Sequence, residues 1–359
     1  MTNFDDLKLA VESLSGGKNT VILDDLGMPS IMVAIPVQKY ADVITGGTQD
    51  TLPAFLVDGV EIPVIYESKY QNIVVSDRAY SLPFKDPRAN IDFDTALQVC
   101  RNKGAGWHLQ TNALWGALMN WCYKNKTEPH GNTNYGKDYN NAFEKGVVSY
   151  TYTDGGNTYN GRTATGSGPV TWYHNYDSSG IADLCGNVWE WVSGLRLVTG
   201  EIQIIPYGNA MKADCNMGAD STEWKAIMPD GSLVAPGTAG TLKFDGKSAG
   251  GGIRLNTTVE FPSSGEGDRN DDLKNIAAAD GVNVPQLLKG LGLYPDSGFT
   301  STGNHFWLRN HEAERLPFRG ASWISTSLAG VGALDLAYPR SYVNHYLGFR
   351  AAFYGTAGN

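Results

Sequence analysis

At 359 residues and 42% hydrophobic content, the chain has material for two domains, or for one large domain with insertions, around a sizeable core. A formal net charge of −9, with no dense run of Lys or Arg, argues against nucleic acid and anionic membrane as partners. Its 43 Gly, nine Trp and 18 Tyr point away from a helical bundle and toward short elements, long loops and aromatic anchors.

The amino-terminal stretch MTNFDDLKLAVESL lacks a basic region followed by an apolar one, so no signal peptide is expected. No stretch approaches the roughly 18 apolar residues of a membrane span. Synthesis and folding in a cytoplasm are expected, which is compatible with later release in a particle. Within residues 1–48, Phe4, Leu7, Leu9, Ala10, Val11 and Leu14 form a helical apolar stripe that ends before Gly16 and Gly17. VILDDL and SIMVAIPV then read as strands separated by Gly27 and Pro29. So small a module cannot bury a core alone. It is expected to dock on the main domain, on copies of itself or on a larger assembly, and assembly is favoured.

The main unit spans 49–359. It opens with strands at AFLVDG, PVIYESKY and NIVVSD, after which Asp92 caps a helix through Ala96, Leu97, Val99 and Cys100 that stops at Gly104. Thr111 is the N-cap of a second helix with Leu114, Trp115, Leu118, Met119 and Cys122 on its apolar side. Residues 126–170 lack helical periodicity and read as a long loop region with a hairpin at YTYTDGGNTYNG. In IADLCGNVWEWVSGLRL, period two puts Trp189 and Trp191 on one face of a strand and Glu190 on the other. Glu190 is then placed to accept an internal hydrogen bond from backbone or Arg. Residues from about 205 to 315 read as an insertion with Gly-rich punctuation around short strands, and DDLKNIAAADGVNVPQLLKGLGL predicts two short helices broken at Gly281 and Pro285. The four cysteines, Cys100, Cys122, Cys185 and Cys215, are too few and too far apart for a disulfide scaffold or a CxxC zinc site, so buried free thiols are expected.

From Arg319 to Arg350, two structural brackets, RGASW and LGFR, enclose a segment of different composition. Gly320 and Gly348 permit close backbone approach, while Trp323 and Phe349 are suited to anchoring strands in a core. Ala333, Leu334 and Leu336 can form a short buried strand. The remainder is rich in Tyr, Ser and Asn, which binding surfaces favour because they combine contact area with adaptable hydrogen bonding. A Tyr-rich edge strand and turn would have the same composition.

RGASW and AGVGALDLAYPRSYVNHYLGFR together resemble the variable region of proteins diversified by diversity-generating retroelements. The order FDTALQVCRNKG, GWHLQTNALWGAL, GNVWEW resembles the C-type-lectin-like domain of the formylglycine-generating-enzyme subtype on which such regions are built. The resemblance covers roughly 50–205 and 305–355 and implies an α+β fold. It also implies that adenine miscopying turns Asn codons into others but never into Lys, Glu, Gln, Met or Trp, and none of these five occurs in 324–346. Diversified positions would fall on Ile324, Ser325, Thr326, Leu328, Asp335, Ala337, Tyr338, Tyr342, Asn344, His345 and Tyr346. Arg319, Gly320, Ser322, Trp323, Gly348, Phe349 and Arg350 would be fixed scaffold, with Trp189 and Trp191. The implied function is non-enzymatic binding of a bacterial cell-surface receptor, protein or glycan. The implied setting is a phage tail or, alternatively, a bacterial cell surface, with other tail or particle proteins and a homo-oligomer as partners. No cofactor would be required beyond a structural calcium, which Glu190 with neighbouring carbonyls would ligate.

Enzymatic chemistry finds little support. Formylglycine-type oxidases use two cysteines in this C-terminal segment, and the matching positions carry Ser325 and Gly330, neither of which binds copper(I) as a thiolate does. GDRNDDLKN alternates Asp268, Asn270 and Asp272 like the start of a calcium loop, but Leu273 stands where the loop needs Gly and Ala279 where it needs Glu, so a capped helix start is expected. There is no Walker or strand-to-helix GxGxxG motif. A structural particle component with its tyrosines buried at a subunit contact is the remaining alternative.

Overall fold

The computed structural model describes residues 4–264 and 268–355, a sheet-rich α+β fold with few helices. Both central helices form where their capping residues predict. Asp92 accepts a hydrogen bond from the Thr95 amide (2.7 Å) at the start of Phe93–Arg101, and Thr111 accepts one from the Leu114 amide (3.1 Å) at the start of Asn112–Asn125. The second helix is not amphipathic. Ten of its 14 residues are buried, including the polar Asn112 and Asn120, because it runs through the interior with other elements on every side.

The leading segment is not a separate module. After the helix Asp5–Ser15, strands Asn19–Leu23 and Pro29–Pro36 enter a five-stranded sheet, followed in spatial order by Val64–Ser68, Ala351–Tyr354 and Trp107–Leu109. Pro29–Pro36 pairs antiparallel with Val64–Ser68 from Met32 opposite Ser68 to Pro36 opposite Val64. Among the three outcomes anticipated, the segment therefore docks on its own main domain. A strand so largely buried needs a partner on both edges, and Val64–Ser68 supplies one.

The element that positions the C-terminal segment is a six-stranded sheet in the order Arg269–Asp272, His305–Leu308, Leu334–Leu336, Phe318–Arg319, Trp189–Trp191, Leu347–Phe349. Register places Trp307, Asp335, Phe318, Trp191 and Phe349 in one row across it. Directly paired residues share a face, so this row lies opposite Phe306, Leu308, Leu334 and Leu336. Those four join the main core with Leu114, Trp115 and Met119, while Trp189, Trp191, Phe318, Leu347 and Phe349 belong to a second, aromatic core.

The insertion is only partly as anticipated. Most of its strands build a separate seven-stranded sheet, but Arg269–Asp272 and His305–Leu308 extend the six-stranded one. Of the two helices predicted near DDLKNIAAAD, only Gln286–Gly290 is an α-helix; the capped helix start expected at GDRNDDLKN is instead the strand Arg269–Asp272, followed by a single 3-10 turn, Leu273–Asn275. Tertiary pairing prevails over local pattern here. Asp271 accepts from Lys247 Nζ (2.7 Å) and the Ile253 amide (3.1 Å), and Asp272 pairs with His305 (2.8 Å), which fixes the strand between two neighbours. All four cysteines are buried free thiols.

Candidate ligand-binding face

The brackets hold the C-terminal segment through buried, fully engaged groups. Arg319 donates to Asn112 Oδ1 (3.0 and 2.8 Å) and to the carbonyls of Leu291, Gly292 and Gly332. Burial pushes its guanidinium down to about 9. Gly348 cannot carry a side chain, since a Cβ there would sit 2.4 Å from the Arg88 carbonyl oxygen. Ser322, Trp323, Phe349 and Arg350 are likewise buried. Arg350 grips Glu190 with both ends of its fork, Nε to Oε2 at 2.5 Å and Nη2 to Oε1 at 2.6 Å, and Gln71 donates to the same carboxylate (3.0 Å). Of the two readings of Glu190, the internal bond to arginine is the one this geometry shows. It leaves a carboxylate already engaged on both oxygens by Arg350.

Between the brackets the chain returns twice to one face. The first pass is the loop through the 3-10 turn Thr326–Leu328, where Ile324 and Leu328 stand exposed at 38% and 37%. Thr326 adopts a φ of 53°, uncommon for a β-branched residue, and its amide is held by the Thr133 carbonyl (2.9 Å). The second pass leaves strand Leu334–Leu336 and lays down three tyrosines. Tyr338 stacks on Tyr342 (centroids 3.9 Å apart) and on Phe318 (5.7 Å), the Tyr342 and Tyr346 hydroxyls share a hydrogen bond (3.0 Å), and Asn344 Nδ2 donates to Tyr342 (2.8 Å). Burial raises the Tyr338 and Tyr346 phenols, so both remain protonated donors.

The two passes enclose a concavity of about 260 Å³ lined by Ile324, Ser325, Thr326, Leu328, Asp335, Tyr338 and Tyr346 together with Ser322, Trp189, Trp307 and Phe318. Seven of the eleven anticipated contact residues thus meet in one hollow. Tyr342 and Asn344 brace it. His345 sits to one side, stacked on Tyr152 (4.7 Å, 9°) and near Trp323 (5.6 Å). Ala337, expected at the contact surface, is fully buried and contributes only its amide, which donates to Asp335 Oδ1 (2.8 Å). Asp335 is itself 7% exposed, and burial pushes its carboxyl well above the usual range.

Several wall residues were not anticipated. Trp307 and Phe318 come from neighbouring strands, and Tyr152, Tyr135 and Tyr159 gather beside Trp323 from the loop region that contains the hairpin Thr151–Asp154 and Asn157–Asn160. The HFWL strand pattern was the one available signal for Trp307. Larger hollows of about 420 and 520 Å³ lie elsewhere and receive no side chain from 319–350.

No family model matches the chain, and no curated protein matches it. Among solved structures it is similar to Treponema denticola variable protein 1, at 12% identity over 94% of this chain and 99% of the other, with a TM-score of 0.34. It is also similar to the Major Tropism Determinant U1 variant, at 10% identity over 94% and 71% with a TM-score of 0.30, and to the P3c variant with the same figures. Among the described residues, no helix is long and apolar enough to cross a membrane.

Proposed function

We propose that this chain is a non-enzymatic binding protein of the retroelement-diversified class, in which a C-type-lectin-like scaffold of the formylglycine-generating-enzyme subtype presents residues 324–346 to a receptor on a bacterial surface. The setting that fits is a phage tail, with several copies acting together so that weak single contacts add up. The observation that carries this reading is convergence. Seven residues separated along the chain and placed at diversified positions by the resemblance line one open hollow, while of the scaffold set only Ser322 and Trp189 reach its lining and the rest are buried away from it. Rigid brackets limit the ordering entropy that binding would otherwise lose. No cofactor enters this mechanism. A formylglycine-type oxidase would need thiolates where Ser325 and Gly330 stand, and Ser325 Oγ already accepts from the Ser322 amide (3.0 Å).

The test uses the labelled full chain on a panel of bacterial strains. Ile324→Asn with Leu328→Asn changes two exposed side chains and is expected to abolish binding to every strain bound by the parent, with unchanged thermal unfolding. The gene's flank is expected to hold a near-copy of the 319–350 coding segment, mismatched at adenines, beside a reverse-transcriptase gene. Binding undisturbed by the double substitution would overturn the reading.

A further inference from the structure

The floor of the hollow contains a chemical anomaly. In the row Trp307, Asp335, Phe318, Trp191, a carboxylate is flanked on both sides by aromatic rings. Buried carboxylates are normally paired with a cation or several donors. Among the described residues Asp335 has one donor, the Ala337 amide. The nearest cations are committed to other carboxylates: His305 bonds Asp272 (2.8 Å), and Arg309, just past the strand, bonds Asp268 (2.7 Å) while its guanidinium stands 5.8 Å from the Tyr338 ring centroid and lends Asp335 some of its charge. Trp189 and Trp307 meet edge to face (83°), and Trp189 also meets Phe318 at 71°, so the rings form walls at an angle rather than a flat platform for a sugar ring. Tyr338 and Tyr346 add two more rings, and Ile324 and Leu328 stand exposed on its lining.

Resting on the ligand-binding reading of this face, we propose that the hollow is an aromatic cage with an acidic floor, which takes the charged end of a lysine or arginine side chain from a protein receptor. Ring faces attract a cation through their quadrupole, and a carboxylate in the same desolvated space supplies the countercharge. The aliphatic Ile324 and Leu328 suit the methylene stem of such a side chain, which buries its carbons while its charge seeks polar company. A compact quaternary ammonium has no stem to use them.

The experiment follows the fluorescence of Trp189 and Trp307, with calorimetry alongside, as the full chain is titrated with N-acetyl-lysine methylamide and its arginine counterpart. The comparators are N-acetyl-norleucine methylamide, choline and a neutral monosaccharide. The lysine or arginine probe is expected to bind at least about tenfold more tightly than norleucine. Asp335→Asn is expected to abolish that preference while leaving the weak norleucine affinity in place. Equal affinity for norleucine, no saturation by either cation, or tighter binding of choline or the sugar would overturn the proposal. Should Asp335→Asn fail to fold, the comparison of lysine with norleucine on the parent chain decides alone. If the cations fail while Ile324→Asn with Leu328→Asn still abolishes cell binding, the cage is wrong and the binding face stands. If lysine binds and cell binding survives that double substitution, the cage stands and the binding face falls.

Discussion

Buried charge separates the residues that build this scaffold from those that use it. Arg350 and Glu190 neutralise each other with two short hydrogen bonds, and Arg319 spreads its donors over a side-chain amide and three carbonyls. Both arrangements meet the condition under which a buried ion is tolerated. Asp335 does not, and its stability consequence has a definite sign. An unfolded Asp titrates near 3.8, whereas burial raises the folded carboxyl well above that. Between the two values the native state holds a proton that the unfolded state releases, so the Asp335 contribution is fully present below about 3.8 and is lost as pH rises through the folded value. Asp335→Asn removes this slope. The variant is expected to match the parent below about pH 3.8 and to exceed it at about pH 8 by on the order of 1 kcal/mol, as when a residue kept for function is relieved. Urea unfolding of parent and variant at both pH values measures the difference, and a variant less stable at alkaline pH would show that Asp335 has an internal partner after all.

Elements whose signals are local were legible in the sequence. Asp92, Thr111 and the glycines after Ser15 mark helix ends through hydrogen bonds and φ values that depend on a few neighbouring residues. The hairpin Thr151–Asp154 and Asn157–Asn160 was likewise legible from Gly155 and Gly156 between strand-like runs. What stayed illegible was surroundings. The apolar stripe of Asn112–Asn125 suggested one buried face, yet nearly the whole helix is enclosed, because its other sides meet residues more than 150 positions away. Gly116 shows the consequence. By helix propensity alone, Gly116→Ala would stabilise by about 1 kcal/mol. A Cβ there, however, would lie 2.4 Å from the Gly290 carbonyl oxygen and 2.5 Å from the Leu291 carbonyl carbon, both backbone atoms that cannot swing aside. Overpacking is expected to prevail, for a net loss of about 2 kcal/mol. Denaturant unfolding of the variant reads the sign directly, and any gain in stability would mean that Gln286–Gly290 shifts freely against the helix. The contact face divides in the same way. The segment proposed for contact was singled out through resemblance, whereas Trp307, Tyr152 and Tyr135 were not, because only the folded sheets bring them beside it.

Across the whole molecule, the first 36 residues show how far a short segment can be misjudged when read by length. Alone they cannot enclose a core, yet their side chains feed three separate ones. Val33 and Ile35 pack with Leu114 and Trp115, Ile22 and Met32 with Trp191 and Phe349, and Val21 and Ile31 with Tyr70 and Tyr173. Burying these six side chains contributes about 2 kcal/mol each, on the order of 10 kcal/mol together, which is comparable with the net stability of a typical domain. Their removal would also strip Val64–Ser68 of its partner along the register from Met32 to Pro36 and leave an unpaired sheet edge. The other edge of Val64–Ser68 pairs with Ala351–Tyr354, which directly follows Arg350, so damage here reaches the bracket that fixes the contact face. A chain lacking residues 1–36 is therefore expected to aggregate or to remain without cooperative unfolding, and to lose surface binding with its fold. Size-exclusion chromatography and far-UV circular dichroism distinguish the outcomes. A monomeric truncated chain with a sharp thermal transition would mean that the leading strands are an accessory to the sheet rather than two of its structural members.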